Sequence, residues 1–313
     1  MIKKTDKIFI AGHKGLVGSA IFRKLKSSGY RNILVVSKKN LNLTNQNKVF
    51  TFLKKNKPKF IFLAAAKVGG IYANNNLKGD FIYENLMIQS NVIHGALKAN
   101  IKNLIFLGSS CIYPKFCKQP IKENYLLSGK LEETNDAYAV AKIAGIKMCE
   151  SYNKQYKTNF KCLMPTNTFG PNDNYHILNS HFVPSLIRRI YDLEYNNKKS
   201  IKIWGDGSPR REIIYVDDIA DACIYFMNKK IKDSLINIGT GKDLSIKEYV
   251  QLFLNLLIPE KKIKIRFDKS KPNGIPKKLM DVSLAKKNGW TYKTNLNDAI
   301  ISTYKDYCLN QKK

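Results

Sequence analysis

A short apolar run, Lys7 to Ala11, leads straight into GHKGLVG, and a helical pattern begins inside that loop, at Val17, and runs to Ser27. This junction constrains the chain more than any other feature. Gly12, Gly15 and Gly18 fall three apart, at the end of a strand and the start of a helix. The first permits a tight turn, the second lets backbone approach a pyrophosphate, and the third lets helix and strand pack closely. The helix N-terminus then faces the phosphates with its free N–H groups. His13, Lys14, Leu16 and Val17 complete the loop.

The pattern continues along the first 165 residues. Strands are predicted at Lys7–Ala11, Ile33–Val36, Phe60–Ala64, Asn103–Gly108 and Phe160–Met164. Helices are predicted at Val17–Ser27, Asn45–Lys55, Phe81–Ala99 and Ala137–Tyr156. Near-continuous apolar strands that alternate with helices imply a parallel sheet covered on both faces. Right-handed crossovers make this a doubly wound α/β fold of the Rossmann type. After Pro165 turn-rich segments appear, such as Gly170–His176 and Trp204–Glu212. The expected organisation is a dinucleotide-binding domain over 1–165 and a smaller mixed α/β substrate lobe over 166–313. Parts of 166–240 are expected to complete the sheet.

The chain has 54 basic and 24 acidic residues, a net charge of +30. That balance suggests nucleic acid, but only seven of the basic residues are Arg, and the lysines are spread along the whole chain. Lys, Asn and Ile share AT-rich codons, so base composition accounts for the excess. No nucleic-acid partner is expected. No apolar run approaches the ~20 residues of a membrane helix, and no secretory leader is read at the N-terminus. Six cysteines without C-x-x-C pairing argue for reduced thiols, no metal and a cytoplasmic protein.

At the end of the second strand the chain reads Ser37, Lys38, Lys39, where an NAD site would place an acid. With Lys14 in the loop, the cations suit a 2′-phosphate, so NADP(H) is the expected cofactor. YAVAK puts Tyr138 and Lys142 one helical turn apart, on one face. Ser109 ends the fourth strand. Hydride delivery to a ketone leaves an alkoxide that needs a proton. A tyrosine supplies it if an ammonium lowers its ordinary pKa of ~10. A serine hydroxyl orients the carbonyl.

With these residues in place, the chain resembles the GDP-L-fucose synthase family of extended short-chain dehydrogenases/reductases. The matching stretches include GHKGLVGSA, AAAKVGGI, LGSSCIYP, YAVAKIAGIKMCESYN, MPTNTFGPNDN, NSHFVPSLIRR, WGDGSPRRE and NIGTG, which run in order through about the whole chain. The resemblance implies NADPH-dependent 3,5-epimerisation and 4-reduction of GDP-4-keto-6-deoxy-D-mannose by a homodimer, paired through the helices Phe81–Ala99 and Ala137–Tyr156. It places Leu107, Gly108, Ser109, Ser110, Lys142, Pro165, Thr166, Asn167, Thr168 and His181 beside the cofactor, with the loop residues and Lys38. It makes Cys111 the base and His181 the acid at the carbons flanking the ketone. Their chemistry fits: a thiol of ordinary pKa ~8.5 takes an activated C–H proton, and an imidazole titrates near neutrality. Arg189, Arg211, Trp204, Asn273 and Lys278 would hold the GDP-sugar. Two departures stand out. Bacterial relatives commonly carry Arg where this chain has Lys14 and Lys38, and Asn273 replaces an acid in KPNG. A 4-epimerase or 4,6-dehydratase is the nearest alternative, but a dehydratase would carry Thr-Asp-Glu at 109–111.

Overall fold

The computed structural model describes residues 2–311 apart from Leu178 and Pro272, and only the backbone of Ile71. The first half of the chain contains β1 (Ile8–Ala11), α1 (Leu16–Ser27), β2 (Ile33–Val35), α2 (Gln46–Asn56), β3 (Phe60–Leu63), α3 (Ile71–Asn76), α4 (Lys78–Lys98), β4 (Asn103–Leu107), α5 (Asp136–Tyr156) and β5 (Asn159–Pro165). There follow β6 (Asn167–Phe169), α6 (Phe182–Tyr195), β7 (Ser200–Trp204), β8 (Arg210–Arg211), β9 (Ile213–Tyr215), α7 (Val216–Asn228) and β10 (Leu235–Ile238). The chain closes with β11 (Leu244–Ser245), α8 (Ile246–Leu257), β12 (Lys264–Asp268), β13 (Lys277–Lys278), α9 (Ser283–Lys287) and α10 (Leu296–Gln311).

One six-stranded parallel sheet has the order β10-β5-β4-β3-β1-β2. From β1 the chain winds outward to β2 and then returns to β3 on the other side. The crevice between β1 and β3 is therefore the topological switch point, where such sheets bind ligands. Alternate strand residues serve opposite faces. Phe9, Ile61, Leu104, Phe106 and Cys162 pack under α2, α4 and α5 with Val49, Val92 and Ile146. Ile8, Ile10, Phe62, Ile105 and Leu163 pack under α1 and α7 with Ile21, Ile219 and Phe226. Each large apolar side chain so buried contributes about 1.5–3 kcal/mol. A third core joins α6, α8, α10 and β7 through Ile187, Phe253, Ile300 and Ile203. Among the described residues no helix is long and apolar enough to cross a membrane.

Glu212, fully buried beside β8, ties the last part of the chain to the sheet. Its carboxylate accepts from the N–H of Thr240 at 2.6 Å, Gly241 at 2.7 Å and Met280 at 2.8 Å. It thereby fixes both the turn after β10 and the segment carrying β13. Three backbone donors make a buried carboxylate tolerable where an unpaired one is costly.

Candidate active site

The glycine loop has no room for side chains where the backbone closes. Gly12 has φ +91°, and a Cβ there would lie 2.7 Å from the backbone of Ala65, across the switch point. A Cβ on Gly18 would lie 2.1 Å from the Gly12 carbonyl oxygen. The Gly15 N–H donates to that same oxygen at 3.1 Å. Gly15 caps α1 without a side-chain hydrogen bond, and the first turn holds no acid. Its N–H groups are thus left for an anion, so the cradle fits a pyrophosphate. Leu16 and Val17 open α1 half-buried, and Lys14 is exposed. His13 is half-buried, its imidazole held below its usual range by burial and then by Lys14. Lys38 lies 3.8 Å from Glu84 of α4, with its own side chain 81% exposed. The acid that is missing at the end of β2 is thus brought near from another element, beyond what local spacing reveals.

The catalytic candidates Ser109, Cys111, Tyr138 and Lys142 converge at the end of β4. A single 3-10 turn, Ser110–Ile112, follows β4, and Ser109 caps it by accepting from the Cys111 N–H at 3.2 Å. The Ser109 side chain also hydrogen-bonds the Tyr138 phenol. Gly108 lets β4 pass against Met164, which a Cβ would meet at 2.1 Å. Lys142, 3% exposed, donates to the Leu107 carbonyl at 2.8 Å, with its ammonium 5.7 Å from the centre of the Tyr138 ring.

The electrostatics differ from the expectation of a tyrosine made acidic by its lysine. Burial pushes Tyr138 up, the Cys111 sulfur adds to that, and the Ser109 bond offsets only part. Burial also pulls Lys142 down to about 7. Desolvation disfavours the charged form of each group, and the Lys142 ammonium donates to the Leu107 carbonyl. Tyr138 consequently stays a phenol across ordinary pH, the form that donates a proton.

Lys278 donates to the Cys111 sulfur at 3.5 Å. His181 stands at the N-terminus of α6. The residue is exposed by surface area, yet the protein packed around it lowers its basicity, and the Lys278 charge adds to that. Cys111, His181 and Lys278 thus form one electrostatic group. Pro165, Thr166, Asn167 and Thr168 run from β5 into β6. The Thr166 hydroxyl and Asn167 amide donate to the Glu212 carbonyl at 3.2 and 2.8 Å, and Thr168 bonds back to Thr166.

The substrate candidates gather on the lobe. Arg211 pairs in register with Lys278 and donates to the Ile275 carbonyl at 2.6 Å. Arg189 donates to the Lys202 carbonyl at 2.6 Å, two residues from Trp204, which is 57% exposed. The Asn273 side chain accepts from the Asp206 N–H at 2.9 Å and also bonds the Asp206 carboxylate. An acid at 273 would repel that carboxylate. The neighbouring Arg210, by contrast, is held by Asp243 at 2.9 Å. These contacts commit Arg210 to Asp243 and bind Arg211 to backbone carbonyls, while Trp204 stays exposed.

The model of the NAD dependent epimerase/dehydratase family matches residues 8–239, which span the glycine loop, the Ser109–Tyr138–Lys142 group and β10. The chain belongs to the NAD dependent epimerase/dehydratase family. Among members of this family, it is 48% identical over 310 residues to GDP-L-fucose synthase 1 of Arabidopsis thaliana, covering 99% of this chain and 95% of that one. It is 45% identical over 315 residues to the GDP-L-fucose synthase of Escherichia coli, covering 98% of each. A GDP-mannoheptose C4 reductase from Campylobacter jejuni with NADP bound superposes with TM-score 0.89 at 39% identity, covering 98% of this chain and all of that one.

The sequence reading missed Asn135 and Glu212. Asn135 lines a small cavity with Cys111 and Lys278, and its buried side-chain oxygen has no partner among the described residues. No spacing links it to Cys111, because the loop before α5 brings it there. Glu212 stands between the Arg pair of β8 and the apolar start of β9, and its signal was only a lone acid between them.

Proposed function

We propose that this family member converts GDP-4-keto-6-deoxy-D-mannose to GDP-L-fucose by epimerising C3 and C5 and then reducing C4 with NADPH. One observation carries the reading: the Ser109 side chain links the phenol of Tyr138 to the turn that presents Cys111. A ketone placed there meets a proton donor for its oxygen and a thiol for its flanking carbons. The near full-length similarity to GDP-L-fucose synthases supports the substrate.

The 4-keto group makes the C3 and C5 hydrogens acidic. Cys111 takes each proton from one face, and His181 returns one to the other. The Ser109 hydroxyl and the Tyr138 phenol stabilise the enolate oxygen between these steps. NADPH, when bound, supplies the hydride for C4. Gly12, Gly15, Gly18 and the N–H groups of α1 hold its pyrophosphate, and Lys14 and Lys38 answer its 2′-phosphate. Leu107, Gly108, Ser110 and residues 165–168 form the floor of its site. Tyr138 protonates the C4 oxygen, and Lys142 holds the end of β4 in place. Arg189, Arg211 and Lys278 balance the diphosphate, Trp204 covers the nucleotide, and Asn273 with Asp206 shapes the base site.

The protein works in this reading as a cytoplasmic homodimer. Tyr83 of α4 and Val140 of α5 are exposed on helices that pack on each other, a surface suited to pairing across a two-fold axis. Light scattering tests that state. Incubation with the 4-keto sugar and NADPH, with the product sugar identified, tests the activity. GDP-L-fucose is the expected product, and cofactor oxidation that yields a 6-deoxy sugar unchanged at C3 and C5 overturns the epimerase half.

A further inference from the structure

The stretch AAAKVGGI, which follows β3, enters neither half of the proposed reaction, yet it joins two parts of the site. On one side the Ala64 N–H donates to the Ala11 carbonyl at 3.0 Å, beside the glycine cradle. On the other side the Gly70 N–H donates to the Asn179 carbonyl at 2.8 Å, two residues before His181. A Cβ on Gly70 would lie 2.7 Å from the carbonyl oxygen of Ser180, the residue next to His181.

Gly70 has φ −68° and ψ 180°, a conformation open to any residue. Glycine is needed there for close approach, not for backbone freedom. The loop itself is pinned. Asn74, 8% exposed, donates its side-chain amide to the carbonyls of Gly69 at 2.6 Å and Gly70 at 3.0 Å. The buried Asn85 side chain accepts from the Lys67 N–H at 2.9 Å and donates to the Lys67 carbonyl at 3.0 Å. Past the contact, His181 leads straight into α6, its carbonyl accepting from the Ser185 N–H at 3.0 Å. A clamped loop thus bears on the backbone that carries the imidazole, at a point with no room for a methyl group.

We propose that Gly70 is a positioning residue for His181: by seating the Ser180 carbonyl against its Cα, it fixes where the imidazole stands in the site. It acts through the backbone of 179–181 and not on the sugar. The consequence for catalysis rests on the acid role proposed above for His181. Gly69 supplies the contrast. The nearest neighbours of a Cβ there would be side chains, the Ala73 Cβ at 2.9 Å and the Phe81 ring at 3.2 Å. Phe81 packs edge-on to Tyr138, so a push at Gly69 travels toward the reductase side.

The chain has four histidines, so labelling their Cε1 atoms with carbon-13 gives four imidazole NMR signals, and His181→Asn assigns the one required. In Gly70→Ala the His181 signal is expected to move, while that of His94, bonded to the Tyr152 hydroxyl at 2.7 Å, stays. With the 4-keto sugar and NADPH, epimerisation should slow ~10- to 10²-fold, the scale of a misplacement of up to about 1 Å. A 6-deoxy sugar unchanged at C3 or C5 then appears beside GDP-L-fucose. Ser180→Gly loosens the same contact without adding an atom to the loop, and should shift signal and products in the same direction even where Gly70→Ala fails to fold. Gly69→Ala should leave the His181 signal in place. Three results overturn the proposal: an unmoved His181 signal in every folded variant of Gly70 and Ser180, wild-type products from a variant whose signal has moved, or an equal movement in Gly69→Ala. A wild type that yields no epimerised product would instead sink the epimerase reading, and the His181 signal would still report whether Gly70 sets its position.

Discussion

The ammonium of Lys142, in α5, donates a 2.8 Å hydrogen bond to the carbonyl of Leu107, the last residue of β4. That bond joins the helix carrying Tyr138 to the strand end carrying Ser109. It holds a buried amine whose pKa falls to about 7 through desolvation. The unfolded lysine titrates near its ordinary 10.5, so between these values the unfolded chain binds more protons than the folded one. Stability attributable to Lys142 therefore rises with pH from about 7 toward 10.5. In urea unfolding at pH 7 and pH 9, wild type should gain on Lys142→Met at the higher pH. A pH-independent gap between them would mean that the amine is not titrating in this window.

Gly18→Ala places a methyl group 2.1 Å from the Gly12 carbonyl oxygen. That contact is backbone, so the loop must move and the cradle opens. NADPH affinity should fall at least about tenfold, or ~1.4 kcal/mol, in a fluorescence titration. Gly29→Ala serves as a control on cofactor binding, because nothing lies within 4 Å of a Cβ there and it is remote from the loop, although its φ of +81° costs some stability.

Lys38→Glu reverses the charge proposed to face the 2′-phosphate and puts a second carboxylate beside Glu84. Repulsion should shift the NADPH:NADH preference toward NADH by about tenfold or more. Initial rates with each cofactor measure it. An unchanged ratio would show that Lys38 serves only Glu84 and solvent.

The doubly wound sheet was legible in the sequence because its strands are short apolar runs between glycine turns. Predicted strand ends differ from the observed ones by a residue or so, and Asn45, read as the start of a helix, is its cap. The start of α4 was placed at Phe81, but the helix begins at Lys78, since Lys78 and Gly79 carry no apolar signal. The convergence of Cys111 with Lys278 lay beyond reading from spacing. They are 167 positions apart, and their contact depends on Glu212 and Gln119 clamping β13. The direction of the Tyr138 shift was also out of reach, because the sequence gives the lysine's position on the helix but not its burial or its bond to Leu107.

Tyr138→Phe removes the hydroxyl proposed to protonate the C4 oxygen and leaves the ring packed edge-on to Phe81. Reduction should fall ~10²–10⁴-fold, with NADPH still bound and deuterium still entering the sugar. Near-normal reduction would assign the C4 proton to another group.

Deuterium exchange into C3 and C5 with NADPH withheld, read by mass spectrometry for wild type and Cys111→Ser, tests the central role of the thiol. The serine keeps the side-chain size beside Lys278 but is a far weaker base. Wild type should label both carbons, and Cys111→Ser should label neither on the same time scale. Exchange at the wild-type rate in Cys111→Ser would contradict the assignment of Cys111 as the base.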